Sequence, residues 1–146
     1  MKLLFCAGVL ILSVTAAGLA EDPKPVKVDF GRLRGLNYRT SRVTADVKAL
    51  DGETVRISGY IVPLEDGMDQ ATEFLLVPTN GACIHMPPPP PNQIVHVKMS
   101  PGKKAKIFFG NAVWVDGKMS LSTVKSPYGD VAFTMSGTAV ELLKEQ

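Results

Sequence analysis

Five prolines stand in one unbroken run, Pro87 to Pro91, and no other feature of the sequence constrains the fold as tightly. Each fixes φ near about −65° and lacks a backbone N–H, so the run fits neither a helix interior nor a central strand. It stands as a stiff left-handed rod of roughly 15 Å, too long to close a tight hairpin between its neighbours. Because it lies inside the chain rather than in a tail, it reads as a rigid spacer. Such rods also dock in aromatic-lined grooves of partners. That gives an alternative reading, an envelope protein-interaction domain that uses the polyproline segment.

The segments around the rod follow a period of two. Thr54 to Val62 alternates, with Val55, Ile57, Gly59 and Ile61 on one face and Arg56, Ser58 and Tyr60 on the other, which predicts a half-buried strand. Shorter strands are expected at Glu73–Val77, Gly81–Met86, Gln93–Met99 and Lys104–Phe109. Ala112–Val115 and Lys118–Val124 flank Asp116-Gly117, the strongest two-residue hairpin signal in the chain. Val131–Met135 and Ala139–Leu143 complete the set, with a bulge or turn at Ser136-Gly137, although the last piece also suits a helix. One early helix is expected, capped by Thr40 or Ser41 and running to Leu50, with Val43, Val47 and Leu50 on one face. Asp51-Gly52 ends it.

This pattern predicts a mainly β protein, a small closed barrel like the oligonucleotide/oligosaccharide-binding fold, with one short N-terminal helix. An immunoglobulin-like sandwich is the runner-up. It is weaker because Trp114 has no paired cysteines to pack on.

Met1-Lys2, the apolar stretch Leu3–Val14 and the small residues Gly18 and Ala20 read as an export signal cleaved after Ala20. Its apolar core is shorter than the roughly 20 residues that span a bilayer. The expected organisation is a signal peptide at 1–20, an extended lead-in at 21–40 and a single β-barrel-like domain at 41–146. The expected compartment is the periplasm, with no membrane span in the mature chain. Sixteen Lys and Arg against 14 Asp and Glu leave no basic excess, which speaks against a nucleic-acid partner. Of the two cysteines, Cys6 falls within the signal, so Cys83 is the one thiol of the mature protein and forms no internal disulfide.

Cys83 and His85 are the candidate site. On an extended segment they share one face, where a soft thiolate and an imidazole can converge on zinc or Cu(I). The spacing supplies half a zinc site. His96, the other histidine, is a third candidate, and Glu65, Asp66, Asp69 or Glu73 could complete a zinc shell. Met86 and Met99 would serve copper. The bland reading is a small buried cysteine beside a backbone-bonded histidine. Thiol catalysis, with Cys83 as nucleophile and His85 as its base, is less favoured, because neighbours on one strand seldom hold the attack geometry. The basic bias of Arg32, Arg34, Arg39 and Arg42 reads as a solvated face.

Gly59-Tyr60-Ile61-Val62-Pro63-Leu64-Glu65, Glu73 to Pro78, and Gly81-Ala82-Cys83-Ile84-His85 running through the prolines into Asn92-Gln93-Ile94-Val95 resemble the bacterial "domain of unknown function 3299" family. The likeness covers roughly residues 45–142, and the motifs are specific only in combination. It implies a small secreted or lipid-anchored domain of oligonucleotide/oligosaccharide-binding-like fold with no established reaction. Some members travel with zinc-limitation or metal-transport genes. Cys83 and His85 match the family positions, and Met86 stands where a small aliphatic residue is expected. Together these readings predict an exported, non-enzymatic binding module that handles a transition metal, zinc, through Cys83 and His85.

Overall fold

Alternation at residues 54–62 builds the central strand. β1 (Thr54–Pro63) turns Val55 and Ile57 fully into the interior and leaves Arg56 and Ser58 half-buried on the outside. The computed structural model describes residues 24–65, 67, 69–81 and 87–144. Around β1 it places β2 (Glu73–Val77), β3 (Val95–Met99), β4 (Ala112–Ser120) and β5 (Phe133–Leu142). β1 pairs antiparallel with β2, β2 with β3, and β5 with β4, whereas β3 and β5 run parallel. β4 returns to β1, with Ile57 opposite Val115, and the sheet closes on itself. This is a five-stranded Greek-key barrel of the oligonucleotide/oligosaccharide-binding type, as expected, and closure excludes the sandwich.

Phe74, Leu76, Val97, Val115, Phe133 and Met135 fill the barrel, and Phe30, Leu33, Val47 and Leu50 plug one end. The plug corrects the expected lead-in at 21–40. Val26–Val28 is a strand added parallel to β1, and α1 (Phe30–Leu33) follows, with the Asp29 carboxylate accepting the Arg32 N–H at 2.8 Å. Burying a side chain such as Phe30 or Leu33 contributes about 1.5–3 kcal/mol, enough to order a segment that reads as polar.

The early helix is shorter than expected. Arg42–Val43 pairs with Leu36–Asn37 as a hairpin, and Ser41 takes a left-handed φ of 57° in its loop. No helix can run through that geometry, so α2 covers only Ala45–Lys48 with Thr44 at its N-cap. Among the described residues, two short helices thus precede the barrel where one was expected. Gly52, at φ 82°, ends the region as predicted.

Asp116-Gly117 is not a turn. β4 runs straight through it, with Asp116 opposite Arg56 on one side and opposite Ala139 on the other. Gly117 is there because three strands crowd it. A Cβ would collide with the Ser136 carbonyl oxygen and stand 2.9 Å from the Gly137 Cα. The hairpin in this part of the chain lies later, between Val124–Ser126 and Gly129–Val131. Ser126, Pro127 and Gly129 occupy the positions that a type I turn favours, a signal present in the sequence. The expected bulge near Ser136-Gly137 is present within β5, which is one strand with a register shift between Gly137 and Ala139. The expected strand at Lys104–Phe109 shrinks to Ala105–Lys106, paired with Gln70–Ala71.

Candidate functional site

Cys83 and His85 lie outside the described residues, as do Asp66, Met86, all but Gly81 of the expected strand Gly81–Met86, and the signal at 1–20. Of the other candidate ligands, His96, Glu73 and Met99 are engaged elsewhere. His96 projects from the outer face of β3, with its Nε2 2.8 Å from a Glu73 carboxylate oxygen on β2. Met99 faces the barrel interior and is buried there. Among the described residues, no three His, Cys, Asp or Glu side chains gather closely enough to hold a metal ion. Nor does any described helix have the length and apolarity to cross a membrane.

Barrels of this type bind ligands on the outer face of strands 2 and 3 and the adjoining loops. Here the chain covers much of that face itself. The Val124–Val131 hairpin folds back so that Val131 packs on Val62, Leu75, Val77 and Ile94, all buried, with Tyr60, Leu64 and Val124 at the margin. Leu75 and Val77 point outward on β2, and without this cover they would be exposed.

The same hairpin opens a recess elsewhere. With the Leu36–Val43 hairpin it walls a cavity of about 330 Å³ at one end of the barrel. Leu36, Val43, Leu121 and Ala132 supply an apolar floor, and Tyr38, Ser41, Thr123 and Asp130 supply polar groups. The walls are braced. Asn37 accepts the N–H groups of Arg39 and Thr40 at 3.0 and 3.1 Å, Asn92 donates to the Leu36 carbonyl at 2.8 Å, and Ala132 N–H donates to the Pro91 carbonyl at 3.0 Å. The four polar side chains of the lining, by contrast, make no hydrogen bond or ion pair within the described residues. Lys125 stands opposite Asp130 across the hairpin without pairing with it. Sequence reasoning missed this cavity, because Ser41 and Asp130 are 89 residues apart and carry no motif.

Two further recesses are present, one of them against the proline run. One, of about 660 Å³, lies against Pro87, Pro89, Pro90 and Arg34. At its edge the Gln93 amide donates to the Phe30 and Asn92 carbonyls at 2.9 and 2.8 Å, while the Gln93 Oε1 is buried without a hydrogen-bond partner among the described residues. The other, of about 230 Å³, is edged by Tyr60, Phe109 and Tyr128.

The strongest electrostatic feature lies on the outer face of β1, β4 and β5. Arg56 spans Asp116 at 2.7 Å and Glu141 at 2.6 Å, and its guanidinium sits 5.4 Å from the centre of the Trp114 ring. Glu141 and Asp116 push the Arg56 pKa up, whereas burial raises the Asp116 carboxyl despite the arginine. Burial prevails at Asp116, whose Oδ1 is buried without a hydrogen-bond partner among the described residues. Every charge here is spent on a neighbour, so the cluster braces the sheet.

The family described as "Protein of unknown function (DUF3299)" matches residues 33–142. A DUF3299 family protein of solved structure, from Pseudomonas aeruginosa PAO1, is 30% identical, covers 84% of this chain and 99% of its own, and has a TM-score of 0.66. The OBody AM3L09 bound to hen egg-white lysozyme is 16% identical, covers 67% of this chain and 88% of its own, and has a TM-score of 0.40. No curated protein matches the chain.

Proposed function

The chain belongs to the DUF3299 family, and from that premise we propose that it is an exported, non-enzymatic binding module. Its ligand sits at the end of the barrel between the two hairpins. One observation carries this reading: braced walls flank an apolar floor, and the exposed side chains of Tyr38, Ser41, Thr123 and Asp130 at its edge bond to no other described residue. Ligand sites have this composition, a mostly apolar recess with a few convergent polar groups. The test is a small-fragment screen read by amide chemical shifts, on wild type and on Thr123→Trp, which blocks the mouth. Fragment shifts clustered on Tyr38, Ser41 and Asp130, and lost in the variant, are expected. Fragments that cluster elsewhere, or nowhere, overturn the site.

Export rests on the pattern of residues 1–20, and N-terminal sequencing of protein recovered from the periplasm should begin at Glu21. Zinc handling through Cys83 and His85 is a second proposal, supported by the Cys-x-His pattern itself. Metal content of the purified protein tests it. Stoichiometric zinc that disappears in Cys83→Ser is expected, and equal metal in both proteins refutes it. The interaction reading draws on the exposure of Pro87, Pro88 and Pro90. A pull-down from envelope extract in which Pro88 to Pro90 become Ala-Gly-Ala should lose its partner, and an unchanged set of captured proteins counts against that reading.

A further inference from the structure

The chemistry of the cavity between the hairpins names a ligand class. We propose that it binds carbohydrate, one or two neutral sugar rings, an inference that rests on the binding reading above. No lysine or arginine lines the cavity, and Arg39, whose guanidinium stands 5.8 Å from the centre of the Tyr38 ring at its edge, is the cation that an acidic sugar would test. The single carboxylate, Asp130, accepts hydrogen bonds and cannot donate when ionised, while the hydroxyls of Tyr38, Ser41 and Thr123 do both. A ligand that satisfies this set must present several hydroxyls around its edge. It must also offer a C–H face to Leu36, Val43, Leu121 and the Tyr38 ring. A pyranose has both properties in one rigid body. About 330 Å³ lies at the small end of the usual range for ligand sites, which suits one or two rings rather than a long polymer.

Ser41 is an independent pointer. It holds φ at 57°, and it is the one described non-glycine residue with positive φ. Glycine or asparagine would serve the loop with less strain, and a serine kept in the left-handed region at a cavity rim is strain of the kind that accompanies ligand sites. The hydroxyl gives the position something that glycine cannot.

The experiment titrates labelled protein with cellobiose, N,N′-diacetylchitobiose and glucuronic acid, each to about 20 mM. Saturable amide shifts at Tyr38, Ser41, Thr123 and Asp130 with either neutral disaccharide support the proposal. Asp130→Asn should then weaken binding by about tenfold, the loss expected for one charge-assisted hydrogen bond. Ser41→Gly separates binding from folding. Relief of the strained φ should raise Tm by about 3–5 °C while affinity falls. Preference for glucuronic acid, or full affinity in both variants, overturns the proposal. If fragments occupy the cavity and neither disaccharide does, the carbohydrate proposal falls and the binding reading stands. If nothing enters the cavity, both fall.

Discussion

At the scale of single residues, Gly117 shows how one amino acid can be misread and still be indispensable. Asp-Gly is the usual chemistry of a tight hairpin, yet Gly117 lies mid-strand with Val55 on one side and Gly137 on the other. Gly117→Ala should destabilise the fold by about 2–3 kcal/mol, because the atom in the way is backbone and cannot rotate aside. Urea denaturation measures this, and a loss below about 0.5 kcal/mol would mean that the strands can part there. Asp116 beside it makes a pH prediction. Its carboxyl is raised above 3.8 in the fold by burial, so the folded protein holds that proton more tightly than the unfolded chain. Stability contributed at this site therefore rises as pH falls through the folded value towards 3.8, and levels off below it. Relative to Asp116→Asn, wild type should gain stability over that window. A wild type that instead loses ground to the variant would mean that Arg56 outweighs burial.

At the scale of elements, the Val124–Val131 hairpin is held by its own small apolar cluster, separate from the barrel core. Val131→Ala should cost about 2 kcal/mol. Hydrogen exchange should quicken first at the amides of 124–131, while those of β3 and β5 keep their protection. Uniform quickening would show that hairpin and barrel open together. What was legible in the sequence follows the same division. β1 could be read almost to the residue, since a barrel wall with one side wet repeats every two positions, and β2 could be read as a short apolar run buried on both faces. Ser126-Pro127-Tyr128-Gly129 also carried its turn in plain chemistry. The early helix was over-read because Val43, Val47 and Leu50 match helical spacing whether or not the chain between them is helical. Pairing of Arg42–Val43 with Leu36–Asn37 is a tertiary decision, invisible in a local window. The cavity was illegible for the same reason, since its lining comes from both hairpins and from Pro91.

At the scale of the whole molecule, closure sets the character of the fold. Arg56 and Asp116, paired across the seam, are 60 residues apart in the chain, so the β1–β4 ladder must close a long loop that contains β2 and β3. A protein whose defining contacts are this remote pays its loop entropy before it is rewarded. Refolding monitored by Trp114 fluorescence should therefore take milliseconds to seconds rather than microseconds, and a microsecond phase carrying the full amplitude would contradict this. Until the seam shuts, β1 and β4 each present an open ladder of hydrogen-bonding groups, the surface on which chains pair with one another instead of with themselves. Closure of the seam is thus also a safeguard, and the yield of soluble protein should depend on how long the barrel stays ajar.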